Sequence, residues 1–500
     1  MNFSDPVNSL IIAKDAVIKF RAQTIFENLN FEWPTGQHWA IVGSNGSGKS
    51  ALLQTLAGKF IVGNGSLRHP FSIPFEEIEK PGNSFFTYHD LIQLVDIRHE
   101  FRNKSNLKEF YFQQRYNSDD ADDAPTVSEY LSEQQKEVSR QTYWSLELVK
   151  QRFNLGYLWE KSVIKLSNGE GKRLRLAAAL LKHPKVLLID NTFAGLDVAT
   201  RAYFDQLFNE IIKSGINLAM VCNPYEIPSC ITNVLVLDKC RIIKQVDKSS
   251  FDPEMDCPTE KHDVDFKALD QEIISHQISS FHTIVDMRRA NVRYGDLYLL
   301  KDINWKIEQG ECWALSGPNG AGKSTLLSLI NGDHPQAYAC DLRLFGRKRG
   351  SGESIWDIKR NIGFMSPELY QYFPSYFTCL EVVVSSFYEA LGVKKKGTDE
   401  QVKQAEFWLD TLDLTKCKYL KLNELSSSGQ RLCLLARALV KAPALLILDE
   451  PCQGLDHSHQ EQFRQIIDHI CELSKTTLIY VTHYQEQLPK CINKRLELSL

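Results

Sequence analysis

A chain of 500 residues, 43% of them hydrophobic and 24% charged, carries enough apolar material for more than one globular core. No stretch approaches the roughly 18 to 20 uninterrupted apolar residues of a membrane-spanning helix, so any channel for a transported solute would come from another chain. A net charge of −4 supplies no bulk attraction to nucleic acid and leaves only a local basic patch as a route to it.

Met1–Pro6 lack a basic stretch followed by an apolar one, which predicts no secretory signal and a cytoplasmic location. The first element of consequence is the apolar run Trp39–Val42, read as a strand. It leads into Gly43, Ser44, Asn45, Gly46, Ser47, Gly48, Lys49 and Ser50, then a helical run from Ala51. Glycine backbones curl tightly enough to aim successive N–H groups at phosphate oxygens, the lysine reaches the outer phosphates, and the serine hydroxyl ligates Mg²⁺. The helix behind the loop presents its N-terminus to the anion. This pattern predicts ATP with Mg²⁺ as the ligand.

Beyond this loop the first half carries an insertion, and its stretch Gly82–Pro125 is rich in aromatics between Phe85 and Tyr116. That density fits a packed subdomain or a partner surface better than a solvated loop. The acidic run Asp119–Asp123 lacks the glycine and glutamate spacing of a calcium loop and reads as solvated. Leu166, Ser167, Asn168, Gly169 and Glu170 then open a helical stretch, followed by the strand Val186–Ile189 and Asp190. Asn191 comes next, and Val221, Cys222 and Asn223 end a further strand.

Residues 247–282 mix prolines and charges around a short helical stretch, Phe266–His276, and read as a linker between a first domain, 1–246, and a second, 283–500. The second half repeats the order of the first. Cys312–Leu315 lead into Gly317, Pro318, Asn319, Gly320, Ala321, Gly322, Lys323, Ser324 and Thr325. Leu425, Ser426, Ser427, Ser428 and Gly429 precede the strand Leu445–Leu448 with Asp449 and Glu450, and Val481, Thr482 and His483 follow another strand. Alternating apolar strands and helices argue a mainly parallel sheet covered by helices in each half, an α/β class. The twelve cysteines have no C-x-x-C pair, which suits reduced, mostly buried thiols better than disulfides or zinc.

Leu166 precedes Asp190, and Leu425 precedes Asp449, by the same number of positions. With the phosphate loops, these spacings resemble the signature and Walker B segments of ABC ATPases, followed by Gly195-Leu196-Asp197 and Gly454-Leu455-Asp456 as D-loops. The resemblance covers nearly the whole chain. It implies two P-loop NTPase domains of the ABC type in tandem, folded head to tail so that each ATP lies between one half's phosphate loop and the other half's signature. It further implies that Phe20 and Tyr294, equally far upstream of their loops, stack on adenine, and that Ser50 with Asp190, and Ser324 with Asp449, hold Mg²⁺. Glu450 would activate water, with Lys323 and His483 on the γ-phosphate and Ser167 and Gly169 facing them. In the other site Asn191 and Asn223 replace the glutamate and the switch histidine, and the facing signature, from Ser426, has Ser428 and Gly429 where the family has glycine and glutamine.

One site therefore reads as a holder and the other as the motor. Gln114 is assigned to the first Q-loop, while Glu368 stands where the second half should carry its glutamine, although it also fits an ordinary surface loop. The runs Asn331–Tyr338 and Leu344–Lys359 resemble the ModF-type tandem ABC ATPases of bacteria, grouped by name with molybdate transport. That resemblance implies an ATP-binding component working with a membrane permease supplied by another chain, on the cytoplasmic face of the inner membrane. Two other readings stay open: a soluble nucleotide-switched factor acting on ribosomes or nucleic acid, and a regulatory ATP-binding protein with little turnover.

Overall fold

The computed structural model describes residues 9–20, 23–79, 84–96, 124–136, 143–166, 168–190, 198–257, 264–275, 278–294, 297–318, 320–391, 396–482 and 484–499. Among these, residues up to 257 form one compact unit and those from 264 form a second.

In the first unit β1 (Ser9–Phe20), β2 (Gln23–Pro34), β3 (Trp39–Gly43) and β4 (Ile61–Arg68) are followed by β5 (Ile92–Val95), β6 (Val186–Asp190), β7 (Asn217–Val221), β8 (Asn233–Asp238) and β9 (Arg241–Asp247). An antiparallel sheet has the order β2-β1-β4, and a six-stranded sheet has the order β5-β6-β7-β3-β8-β9. All neighbours in the latter are parallel except β8 and β9. Parallel strands covered on both faces are apolar throughout, and β6 is buried at every position. Successive side chains alternate between faces. Ala40 and Val42, with Leu187 and Ile189, enter a core built largely with helical residues, whereas Trp39 and Ile41, with Val186 and Leu188, enter the core shared with the antiparallel sheet. The ends of β3 and β6 are thus gripped from both sides, which fixes Gly43 and Asp190 at the same edge of the sheet with β7 between their strands.

The second unit repeats the plan. β10 (Thr283–Tyr294), β11 (Leu297–Glu308), β12 (Cys312–Ser316), β13 (Asp341–Leu344), β14 (Arg347–Lys348), β15 (Ile362–Met365), β16 (Leu445–Asp449), β17 (Thr477–Val481) and β18 (Lys494–Glu497) form two sheets. Their orders are β11-β10-β13-β14, antiparallel, and β15-β16-β17-β12-β18, parallel.

Within the stretch read as a linker, the helix Phe266–Ser275 belongs to the second unit's core. Leu269 is fully buried there, with Phe266 and Ile273 packed against the same cluster. These residues form one apolar stripe at helical spacing, and Asp270 bonds His469 on the helix His457–Leu473 at 2.5 Å. The aromatic stretch of the insertion from Phe101 to Tyr116 lies outside the described residues.

Candidate nucleotide sites

Both phosphate loops are built alike. In the first, Gly43, Gly46 and Gly48 adopt φ of 147°, 78° and 94°, a region L side chains rarely enter. Lys49 Nζ donates to the carbonyls of Gly43 at 2.8 Å and Ser44 at 2.6 Å, and Leu52 N–H to Gly48 O opens the helix Lys49–Leu56. In the second, Gly317, Gly320 and Gly322 take φ of 144°, 90° and 88°, and Lys323 Nζ donates to Gly317 O at 2.6 Å and Pro318 O at 3.1 Å. The helix Lys323–Ile330 starts there with no side-chain cap, so its first N–H groups point into the loop. Around these, Asn45 and Ser47 lie in the first loop, while Ala321, buried, and Ser324 and Thr325 lie in the second; Asn319 lies outside the described residues.

Asp190 ends β6 and is 5% exposed. Burial lifts its carboxyl to about 6, against which a hydrogen bond with Ser50 and the charge of Lys49 pull downward while Asp96 pushes up. The serine and aspartate therefore meet, and their hard oxygen donors fit the ligand set that Mg²⁺ selects. Asp449, at the end of β16, is also buried; its carboxyl is raised well above the usual range by desolvation and by the charges of Glu450 and Glu368, with Lys323 opposing. The structure thus brings Asp449, Glu450, Glu368 and Lys323 within electrostatic reach of one another.

Glu450 takes φ 46°, with its N–H on Val481 O at 2.9 Å. A left-handed conformation at a residue with a long side chain is uncommon and gathers at working sites. Because Asp449 is in register with Val481, the chain after β17 emerges beside the carboxylates; His483 itself lies outside the described residues, as do Asn191, Ser167 and Gln114. In the first unit Asp190 is in register with Val221 in the same way. There Asn223 is exposed, and its side-chain oxygen accepts from Tyr225 N–H at 3.1 Å, so the amide closes a local turn.

Ser426 caps the helix Ser427–Leu439, accepting from Gly429 N–H at 3.2 Å. Ser428 and Gln430 are buried, and the Gln430 amide donates back to Leu425 O at 2.9 Å. Gly169 has open space where a Cβ would stand, and Glu170 is drawn to Lys161 at 3.0 Å. Asp456 caps its helix through His459 N–H at 2.9 Å.

Phe20 is 44% exposed, with its ring 4.9 Å from that of Phe60. Phe60 is a partner that sequence reasoning missed, since it follows the phosphate-loop helix. Tyr294 ends β10 opposite Leu297. Asp96 was missed as well. Val95 pairs with Ile189 as Met365 pairs with Leu448, so Asp96 and Ser366 occupy matching places beside the catalytic strands, a relation visible only from sheet register.

Because Asp190 is buried and its folded pKa lies above that of an unfolded aspartate, the native state holds its proton more tightly. This contribution is fully present below about pH 4 and is lost as pH rises through about 6. At pH 7 the ionised carboxylate is therefore a cost of about 2–3 kcal/mol. Asp190→Asn is expected to raise the thermal stability of the nucleotide-free protein at pH 7 and much less at pH 4, while weakening Mg²⁺-dependent ATP binding. Melting curves at the two pH values check this.

The ABC transporter family profile matches residues 26–194 and 300–453. The chain is 35% identical over 473 residues to the ABC transporter ATP-binding protein ModF of Escherichia coli (strain K12), spanning 92% of this chain and 91% of ModF. It is 32% identical over 480 residues to the uncharacterized ABC transporter ATP-binding protein C323.04 of Schizosaccharomyces pombe, spanning 95% of each. Among solved structures, a model of ribosome-bound archaeal Pelota and ABCE1 aligns with TM-score 0.58 at 17% identity, over 94% of this chain and 73% of that one, a likeness of fold. Two glycine loops whose lysines lie within electrostatic reach of a buried aspartate two strands away in the sheet, and a family match in each half, lead to one conclusion: the chain belongs to the ABC transporter family of ATPases, with two nucleotide-binding domains in tandem of the ModF type.

Proposed function

We propose that the protein is the ATP-binding component of a transport system of the ModF type, with one hydrolytic and one nucleotide-holding site. The observation carrying this reading is the second unit's carboxylate group, in which Glu450 adjoins buried Asp449 within reach of Lys323. In the hydrolytic site Glu450 takes the proton of the attacking water, and Lys323 and His483 steady the γ-phosphate. Ser324 with Asp449, and Ser50 with Asp190, would hold Mg²⁺, which when bound neutralises phosphate charge. In the holding site Asn191 can orient a water but cannot accept its proton. Phe20 and Tyr294 take the adenines.

The first domain is 1–246; the second, read from the sequence as 283–500, also takes in the helix Phe266–Ser275, which packs in its core. No helix among the described residues is long and apolar enough to cross a membrane. In this reading the permease is a separate chain and the ATPase sits at the cytoplasmic face beneath it. The identity to ModF over most of both chains supports the transport reading; the name brings molybdate forward as the first solute to try. Fold likeness to the ribosome-bound ABCE1 supports the alternative, a nucleotide-switched factor on ribosomes. Fractionation of cells expressing the Glu450→Gln variant with ATP separates the two. Recovery with membranes, together with an integral membrane protein, is the expected result; recovery with ribosomes and none with membranes overturns the transport reading.

A further inference from the structure

Cys312, Cys471 and Cys491 come from three separate elements of the second unit. Cys312 begins β12, the strand that runs on into the phosphate loop; Cys471 lies in the last turn of the helix His457–Leu473; Cys491 lies in the segment before β18. Their Sγ atoms all lie within 4.8 Å of one another. Thiolates around a single ion with bonds of about 2.3 Å stand roughly 3.8–4.0 Å apart, so a small contraction of the trio suffices.

The backbone around the trio is held by other bonds. Cys491 N–H donates to Asp468 Oδ1 at 2.8 Å, and Asn493 N–H donates to Cys312 O at 3.1 Å. Cys312 is 3% exposed, while Cys471 and Cys491 are half-buried, which leaves a way in for an ion. Hydrogen bonds from its two neighbours pull the Cys312 thiol below its usual range. The other two are pushed up by sharing the site with it. Binding a cation there displaces the protons that the thiols hold.

We propose that Cys312, Cys471 and Cys491 form a three-thiolate site for one thiophilic d¹⁰ metal ion, Zn(II) or Cu(I), at the end of the second unit's sheet where β12 begins. Soft sulfur ligands select these ions over Mg²⁺ or Ca²⁺. The ion ties the start of the phosphate-loop strand to the C-terminal helix and the last strand, away from the nucleotide carboxylates at the opposite strand ends. The widely spaced cysteines carry no C-x-x-C pattern, so sequence alone pointed to ordinary core thiols.

The test uses the full chain, reduced and stripped of metal under anaerobic conditions, titrated separately with Zn(II), Cu(I) and Co(II) as a coloured probe. One equivalent of ion is expected to bind, Co(II) should give a thiolate charge-transfer band, and the bound ion should shield three thiols from alkylation. Competition between Zn(II) and Cu(I) then assigns the ion. Cys471→Ser and Cys491→Ser should each weaken binding by more than about 100-fold, since loss even of an outer-shell partner costs 10- to 100-fold. Cys417→Ser, at another half-buried cysteine, should leave it unchanged. Circular dichroism and ATP binding report whether each variant is folded, and thiol shielding in the unmutated chain needs no variant. Absence of stoichiometric binding by all three ions, unchanged affinity in folded Cys471→Ser or Cys491→Ser, or a disulfide within the trio with no ion bound would each overturn the proposal.

Discussion

Glu450→Gln is expected to lower steady-state ATP turnover by about 10²- to 10³-fold while leaving ATP binding intact, because an amide keeps the shape but not the proton affinity of a general base. Its position supports the assignment: Glu450 follows Asp449 on the strand end, in a left-handed turn anchored to Val481 O. His483→Ala should act in the same direction. Asn191→Ala should change turnover only a few fold, since that position has no carboxylate to lose. Ser167→Ala should also slow turnover, because the resemblance to ABC ATPases gives Ser167 a γ-phosphate contact. Phosphate release from the purified chain measures all four. A silent Asn191→Ala enzyme beside an active Glu450→Gln one would exchange the holder and the motor.

The second large effect concerns a backbone position. Gly43→Ala is expected to destabilise the protein by about 3–5 kcal/mol, combining an unfavourable φ with overpacking. A Cβ at Gly43 would stand 2.1 Å from Leu237 O on the adjoining strand, at φ 147°. Gly36→Ala is the matched control. Its φ of 82° is also left-handed, but no atom lies within 4 Å of the added carbon, so only about 1 kcal/mol is expected. Equilibrium urea unfolding of the full chain compares them. Equal losses for both would mean that conformation, and not the close approach of β8, sets the requirement for glycine at the loop entrance.

The legible parts of this protein were those encoded locally. Gly43–Ser50 and Gly317–Ser324 announce a phosphate loop in consecutive residues, and Asp190 and Asp449 close apolar runs that read as strands. What escaped was whatever depends on the packing of distant segments. Glu368 had two readings in sequence, a loop residue or a Q-loop substitute. It faces Asp449 because β15 lies beside β16 in the sheet. Asp96 gained its place by the same register, and Phe60 its contact with Phe20 through the turn after the first phosphate-loop helix. The cysteine trio needed three elements to converge before its chemistry existed at all.

The helix Phe266–Ser275 has a consequence for how the second cassette is made. Its Asp270 meets His469 across 199 positions of sequence, and Leu269 is buried in a cluster completed by Phe463, Ile466, Ile467 and Ile470. During synthesis this helix leaves the ribosome early and waits for nearly the whole domain before its apolar stripe is covered. Contacts of such long reach are entropically costly and slow to form. The first cassette can complete its core while this stripe is still uncovered, and the second closes only after its helix His457–Leu473 has been made. A fragment started at Thr283 would begin with the correct strand and lack the residue that seals its core.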